Sequence, residues 1–339
     1  MKKKLNLVVL MGGMSSEHEV SLNTGENIIK FLDKRKYNIK PIVINKKGDW
    51  LVVGRKKTVD ETLKGVDVVF NALHGEYGED GGIQGLLDCF NVPYTGSGIL
   101  ASALGMDKVR SRELFKIYGL IVPKYVVIKE KLKCLKLSFE HFGRKLVVKP
   151  SRLGSSIGIS VINNTNKGDL KKAINKAFKK CDEVIIEEYI NGREMTCGII
   201  ENTRRQEHYA LPVTEIIPPN GKFFDYDVKY DGSTQEITPA RIDKNLAKKI
   251  QEQAIKAHQI LGCRGYSRAD FIIAQNATCL PARLPDGQAR QERKTQNIYI
   301  LEVNTLPGLT KESLLPKAAK EIGVGFPELL DIIINNALN

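Results

Sequence analysis

Residues 147–160 read VVKPSRLGSSIGIS. A lysine closes a short apolar strand, a Gly-Ser-Ser-x-Gly loop follows, and a second apolar run begins. Backbone N–H groups of a glycine-rich loop can cradle phosphate, but a Walker loop places its lysine after the glycines, and Lys149 precedes them. Glycine and serine are equally the residues of a hairpin turn. The stretch alone leaves a phosphate-covering loop and a plain hairpin both open, so the surrounding chain has to decide.

Upstream, the runs KLNLVVLM (4–11), NIKPIVI (38–44) and VDVVFNAL (66–73) have the character of strands buried on both faces, and a helix-like stretch runs from about Glu17 to Phe31. This alternation predicts an α/β unit with a doubly wound parallel sheet over residues 1–104. Ligands of such sheets sit at the carboxyl ends of strands, where Gly12-Gly13 and HGEYGEDGG (74–82) fall. From 105 to 190 the pattern becomes α+β, with a helix in MDKVRSRELFKIYG, strands KYVVIK, KLVVKP and GISVI, a helix over about 167–180, and EVIIEEYI. A third unit, 191–339, holds strands REMTCGII and HYALPVTEII, an irregular loop at 217–239, a helix at 243–261, strands GYSRADFII and NIYILEVN, and two closing helices. The last two strands read as hairpin partners separated by ATCLPARLPDGQARQERKTQN (277–297). That segment is polar, basic and aperiodic, and is expected to be mobile.

Composition narrows the function. The 339 residues are 42% hydrophobic and 27% charged, the balance of a soluble globular protein. No apolar run reaches the roughly 18 residues a membrane helix needs, and the N-terminal run reads as a first strand rather than a signal peptide. Six cysteines without C-x-x-C spacing argue against both a disulfide framework and a zinc site, and suit a reducing cytoplasm. A net charge of +13 raises nucleic acid and anionic membranes as partners, but the lysines are scattered with little aromatic interleaving, so a solvated surface is the expectation.

Two motifs carry metal chemistry. In a strand, residues i and i+2 share a face, so Glu302 and Asn304 project together and Asp270 can join them from the neighbouring strand. Two carboxylates and an amide oxygen suit Mg²⁺ shared with phosphate, although a surface hairpin with a salt bridge would look the same. Arg268 shares the face of Asp270. LPGLTKESLLP (306–316) turns at Pro307-Gly308 and offers backbone N–H groups to an oxyanion or a carboxylate. Lys108 opens a helix and Lys149 ends a strand, both near expected phosphate. EEYINGRE (187–194) sits at a strand-to-loop junction of the kind that can hold an adenosine.

Taken in order, GGMSSEHEVSL (12–22), HGEYGEDGGIQGLL (74–87), MDKVRSR (106–112), the Gly-Ser loop, IIEEYINGRE, FFDYDVKY (223–230), GYSRADF (265–271) and EVNTLPGLTKESLLPKAA (302–319) resemble the D-alanine–D-alanine ligases of the ATP-grasp superfamily. The resemblance runs along essentially the whole chain and implies an ATP-grasp fold, with the Gly-Ser loop folding over ATP phosphates. It implies ligation of two D-alanines through an acylphosphate, for peptidoglycan precursors, by a cytoplasmic homodimer with no nucleic-acid or membrane partner. By the same resemblance Glu17 binds the ammonium of the first D-alanine, His74 lies near its reacting carboxyl, and Ser155 and Tyr230 link to Glu17. Arg268 and the Gly308 amide stabilise the oxyanion, and Ser313 holds the second carboxylate. Lys108, Lys149 and Lys229 meet ATP phosphates, Glu187, Tyr189, Ile190 and Glu194 surround adenosine, and Asp270, Glu302 and Asn304 hold two Mg²⁺ or Mn²⁺ ions. Leu153 departs from the glutamate many relatives carry, and 277–297 is far longer than the family's turn. A D-alanine–D-lactate ligase is the alternative within the superfamily, and a basic nucleic-acid-binding protein the alternative outside it.

Overall fold

The computed structural model describes residues 3–129, 142–154, 157–163, 167–219, 234–274 and 297–339. The expectations placed on Ser155, Lys229, Tyr230 and the body of the 277–297 segment therefore lie outside the described residues.

The first sheet comprises β1 (Leu5–Gly12), β2 (Tyr37–Ile44), β3 (Trp50–Val52), β4 (Arg55–Lys57) and β5 (Val68–Asn71), in the order β4-β3-β2-β1-β5. β1 is an interior strand, apolar on both faces: Leu7 and Val9 enter one core, Val8 and Leu10 another. It pairs in parallel with β2 and β5, as the α/β alternation requires. The sheet is nevertheless mixed, since β3 and β4 add an antiparallel hairpin that the sequence reading did not anticipate. Its strands are three residues each, and the outer one, Arg-Lys-Lys, is fully exposed. Such a short, cationic edge opposes further pairing and carries almost no hydrophobic signal. Around this sheet lie α1 (His18–Phe31), α2 (Val59–Leu63) and α3 (Gly82–Cys89), followed by α4 (Ile99–Met106) and α5 (Lys108–Ile117).

The second sheet is antiparallel, with β6 (Tyr125–Ile128), β7 (Lys145–Pro150), β8 (Ser160–Asn163) and β9 (Val184–Glu188) in the order β6-β9-β7-β8. β7 and β8 flank the Gly-Ser loop as a hairpin. α6 (Lys167–Phe178) covers this sheet, packing Leu170 and Ile174 with Leu146, Val148 and Ile186.

The third sheet contains β10 (Gly192–Thr203), β11 (Gln206–Ala210), β12 (Thr214–Ile217), β13 (Gln235–Ile237), β14 (Tyr266–Ala274) and β15 (Ile298–Asn304). Its order is β13-β12-β10-β14-β15, with β11 also pairing β10. HYALPVTEII, read as one strand, is two. Pro212 cannot donate to a ladder, and β11 and β12 pair with different halves of β10 on either side of it. The loop read at 217–239 likewise ends in a strand, β13, paired with β12. α7 (Lys244–Leu261) starts where the Asp243 carboxylate accepts from Leu246 N at 2.9 Å, and stops at Gly262, whose φ of 68° suits a helix end. Its Ile250, Ala254 and Ala257 pack with Met195, Cys197 and Ile199 of β10 and with Ala269 and Phe271 of β14. The alternate side chains Thr196, Arg268 and Asp270 therefore face the opposite side. The closing helices α8 (Leu314–Glu321) and α9 (Phe326–Leu338) share a core with Leu7 and Val9, which joins the third unit to the first. No helix among the described residues is long and apolar enough to cross a membrane.

Candidate active site

A cleft of about 740 Å³ opens where the three sheets approach one another. All fourteen described candidate residues line it: Glu17, His74, Lys108, Lys149, Glu187, Tyr189, Ile190, Glu194, Arg268, Asp270, Glu302, Asn304, Gly308 and Ser313. A second cavity of about 790 Å³ lies beside β1, β2 and Lys64–Val66, remote from these residues.

The first wall is built at the carboxyl end of β1. Gly12 has φ +87°, and a Cβ there would collide with the Ile44 carbonyl, so only glycine permits this turn. Ser15 then ties two loops together. Its Oγ donates to the His74 carbonyl at 2.5 Å and accepts from Glu17 N at 3.2 Å. The Glu17 carboxylate consequently lies against Gly75, where an added Cβ would come within 2.8 Å of Oε2, and close to Gly154 of the Gly-Ser loop. His74 is fixed through both ring nitrogens, Nε2 to Thr24 Oγ1 at 2.9 Å and Nδ1 to Glu79 Oε1 at 3.2 Å.

The second wall is cationic. Lys149 Nζ donates to Glu187 Oε1 at 2.8 Å, while Glu187 Oε2 accepts from Arg112 Nη1. All three side chains are buried. Burial pushes the Lys149 pKa down to about 8; the Arg112 charge adds to this, and Glu187 opposes it. Burial also raises the Glu187 carboxyl, but Arg112 and Lys149 outweigh it and hold it below its usual range. Both carboxylate oxygens of Glu187 are thus occupied by protein cations. Lys108 begins α5, capped by Asp107, and its Nζ reaches the Leu153 carbonyl at 2.7 Å and Glu302 Oε2 at 3.2 Å. Position 153 makes this contact through its backbone, which a leucine provides as well as a glutamate.

The third wall is the β14–β15 hairpin. Arg268 lies opposite Asn304 and Asp270 opposite Glu302, so the four side chains form one cluster on the cleft face. Arg268 grips Asp270 through two hydrogen bonds of 2.9 Å, and Thr196 Oγ1 donates to Asp270 Oδ1 at 2.6 Å. Burial lowers the Arg268 pKa, but the Asp270 charge overrides it and the net shift is upward. Asn304 Oδ1 accepts from Leu306 N at 2.8 Å, which sets the turn into Pro307-Gly308. Ser313 is the N-cap residue of α8; its Oγ lies 2.8 Å from Thr310 Oγ1 and packs over Gly308. Two carboxylates and an amide oxygen converge here, each carboxylate already facing a protein cation. This all-oxygen donor set fits Mg²⁺ or Mn²⁺.

Sequence reasoning did not single out Arg112, Ser15, Thr24, Glu79 or Thr196. Arg112 had a usable signal, since it follows Lys108 by one helical turn and so shares its face. Thr196 had none, because its partner is remote in sequence.

The chain matches the sequence models described as "D-ala D-ala ligase N-terminus", over residues 6–62 and 52–97, and "D-ala D-ala ligase C-terminus", over residues 114–280 and 290–335. It is 38% identical over 337 residues to a D-alanine–D-alanine ligase of Geobacter sulfurreducens, covering 99% of this chain and 95% of that protein. The fold is similar to that of VanG, a D-Ala:D-Ser ligase from Enterococcus faecalis, with a TM-score of 0.80, 33% identity, and coverage of 99% of this chain and 100% of that one. It is also similar to the D-alanine–D-alanine ligase of Bacillus anthracis complexed with ATP, with a TM-score of 0.75, 33% identity, and coverage of 98% and 97%. With an ATP-grasp architecture and matches that together span most of its length, this chain belongs to the D-alanine–D-alanine ligase family.

Proposed function

We propose that the cleft joins two D-alanines to D-alanyl-D-alanine at the expense of ATP, releasing ADP and phosphate and supplying a peptidoglycan precursor. The single observation that carries this reading is the convergence of ammonium-, phosphate-, metal- and oxyanion-type groups from three sheets on one cleft. Glu17 holds the ammonium of the first D-alanine, and His74, locked between Thr24 and Glu79, orients its carboxylate. That carboxylate attacks the γ-phosphorus, the bond to ADP breaks, and an acylphosphate forms. Lys108 and Lys149 neutralise the phosphates, joined by Lys229. Glu187 keeps Lys149 in place, and Tyr189, Ile190 and Glu194 border the nucleoside. The amine of the second D-alanine then attacks the acyl carbon, and the tetrahedral oxyanion takes hydrogen bonds from Arg268 and the Gly308 amide. Collapse expels phosphate and leaves the peptide bond. Ser313 receives the second carboxylate, and Ser155 and Tyr230 close the Gly-Ser loop over Glu17. Asp270, Glu302 and Asn304 would hold two Mg²⁺ or Mn²⁺ ions; when bound, these supply positive charge to the transferring phosphoryl group.

The same reading divides the chain into units 1–104, 105–190 and 191–339, with α4 bridging the first boundary; residues 220–233 of the loop read at 217–239 lie outside the described residues. It makes the enzyme a cytoplasmic homodimer acting on small molecules rather than nucleic acid or membrane. The test is phosphate release with D-alanine, L-alanine and D-lactate, supplied singly and in pairs with ATP and Mg²⁺. D-alanine alone is expected to sustain turnover and yield the dipeptide. Turnover only with D-alanine plus D-lactate would identify a depsipeptide ligase, and no D-alanine dependence would overturn the reading.

A further inference from the structure

On the face of the third sheet away from the cleft, Glu201 and His208 stand opposite one another across the β10–β11 ladder. His258, in the last turn of α7, completes the group and is fully buried. Its Nε2 lies 3.0 Å from Glu201 Oε1, and His208 Nδ1 lies 3.6 Å from the same oxygen. The three potential ligand atoms all fall within 4.8 Å of one another. Zn²⁺–N and Zn²⁺–O bonds of about 2.1 Å place the corners of a tetrahedron about 3.4 Å apart. The 3.0 and 3.6 Å separations bracket that value.

The outer contacts are those a metal site needs. His258 Nδ1 meets Ser267 Oγ at 2.7 Å, and Glu201 Oε2 accepts from Gly265 N at 2.7 Å. A serine hydroxyl can accept as well as donate, so it can hold the His258 proton on Nδ1 and leave Nε2 bare for a metal. An independent observation points the same way. His208 Nδ1 is buried and has no hydrogen-bond partner, although it is aimed at the Glu201 carboxylate. Buried polar atoms in folded proteins are almost always satisfied, and an orphan calls for a water or an ion.

We propose that Glu201, His208 and His258 form a Zn²⁺ site that pins the end of α7 to the β10–β11 hairpin. Two imidazoles and one carboxylate favour a borderline transition ion over Mg²⁺, so this site and the all-oxygen set of the cleft select different metals. Glu201 is five positions beyond Thr196 on β10, about 17 Å along the strand, and it points to the side of β10 that α7 covers. His208 keeps 17% of its side chain exposed, enough for water to complete the coordination.

The experiment uses the full-length enzyme, stripped with a chelator and then held in excess Mg²⁺ to occupy the cleft. ZnCl₂ is titrated calorimetrically, and Co²⁺ is substituted to read its visible tetrahedral band. The wild type is expected to take up one Zn²⁺ more than His208→Gln and to show the Co²⁺ band that this variant lacks. Ser267→Ala, which leaves all three ligands, is expected to weaken Zn²⁺ binding by about 10–100-fold. Equal uptake by wild type and both variants, or no uptake by wild type, would overturn the proposal and leave the cluster as a hydrogen-bonded pin.

Discussion

Lys149 shows how burial sets a working pKa. Its ammonium is removed from water next to Arg112, and only Glu187 favours the charged form, so the proton leaves at about pH 8 rather than at the usual lysine value. The sign follows directly: below pH 8 the free enzyme offers a charged lysine to ATP, and above it that charge is lost. kcat/KM for ATP reports free-enzyme ionisations and should fall through an alkaline limb near pH 8. In kcat the limb should lie higher, because bound phosphate stabilises the ammonium. Lys149→Arg stays charged and should flatten the limb; an unchanged profile would show that another group titrates. Glu187→Gln removes the anion between two buried cations. Breaking one partner of a buried pair costs about 3–5 kcal/mol, so urea unfolding should show a loss of that size, with the alkaline limb moved to lower pH. Lys149 was legible in the sequence because it adjoins the Gly-Ser loop. Arg112 was not singled out, since an arginine in a short amphipathic helix ordinarily faces solvent, and here its ion pair with Glu187 of β9 draws it inward.

Among the secondary-structure elements, the β14–β15 hairpin contains a device that alternation could not reveal. Ile298 and Ile300 face the core, and strict period-two counting would send Glu302 and Asn304 to that same core face. A register shift after Asp270 leaves Leu301 as an extra residue, so Glu302 and Asn304 turn to the cleft while Val303 takes the core position. The sequence reading paired Glu302 with Asn304 correctly, but the bulge that aims them had no local signature. The edge hairpin β3–β4 escaped for a related reason: its strands are three residues each, too short to show a period, and only the outer one is polar. The site end of β15 is held in turn by α4. A Cβ on Gly105 would lie 2.6 Å from Thr305 Cγ2, one residue beyond Asn304. Gly105→Ala should therefore destabilise by about 1–3 kcal/mol and lower kcat by shifting Asn304. Thr305→Ser, which removes the obstructing methyl, should restore most of both in the double variant. Purely additive losses would mean that the contact does not couple α4 to the site.

Across the assembled fold, three sheets meet at one cleft, and the site is complete only when all three are docked through the core shared by β1, α8 and α9. That convergence was legible only through motif order along the chain; no single segment carries it, because the partners run from Glu17 to Ser313. Of the 277–297 segment only Asn297 is among the described residues. Ala274 N donates to the Asn297 carbonyl at 3.0 Å, so the ladder is still closed where the segment departs. Replacing residues 275–296 with a two-residue Asn-Gly turn, which suits an antiparallel pair, should preserve both the melting temperature and D-alanine-dependent ATPase. A folded but inactive product would show that the segment contributes to the site. The most direct measurement for the mechanism follows oxygen rather than rate. D-alanine labelled with oxygen-18 in its carboxylate is incubated with ATP, Mg²⁺ and the enzyme, and the products are separated by mass. Attack of the carboxylate on the γ-phosphorus should carry one labelled oxygen into inorganic phosphate for each D-alanyl-D-alanine formed, with ADP unlabelled. Dipeptide accompanied by unlabelled phosphate would contradict the acylphosphate route through this cleft.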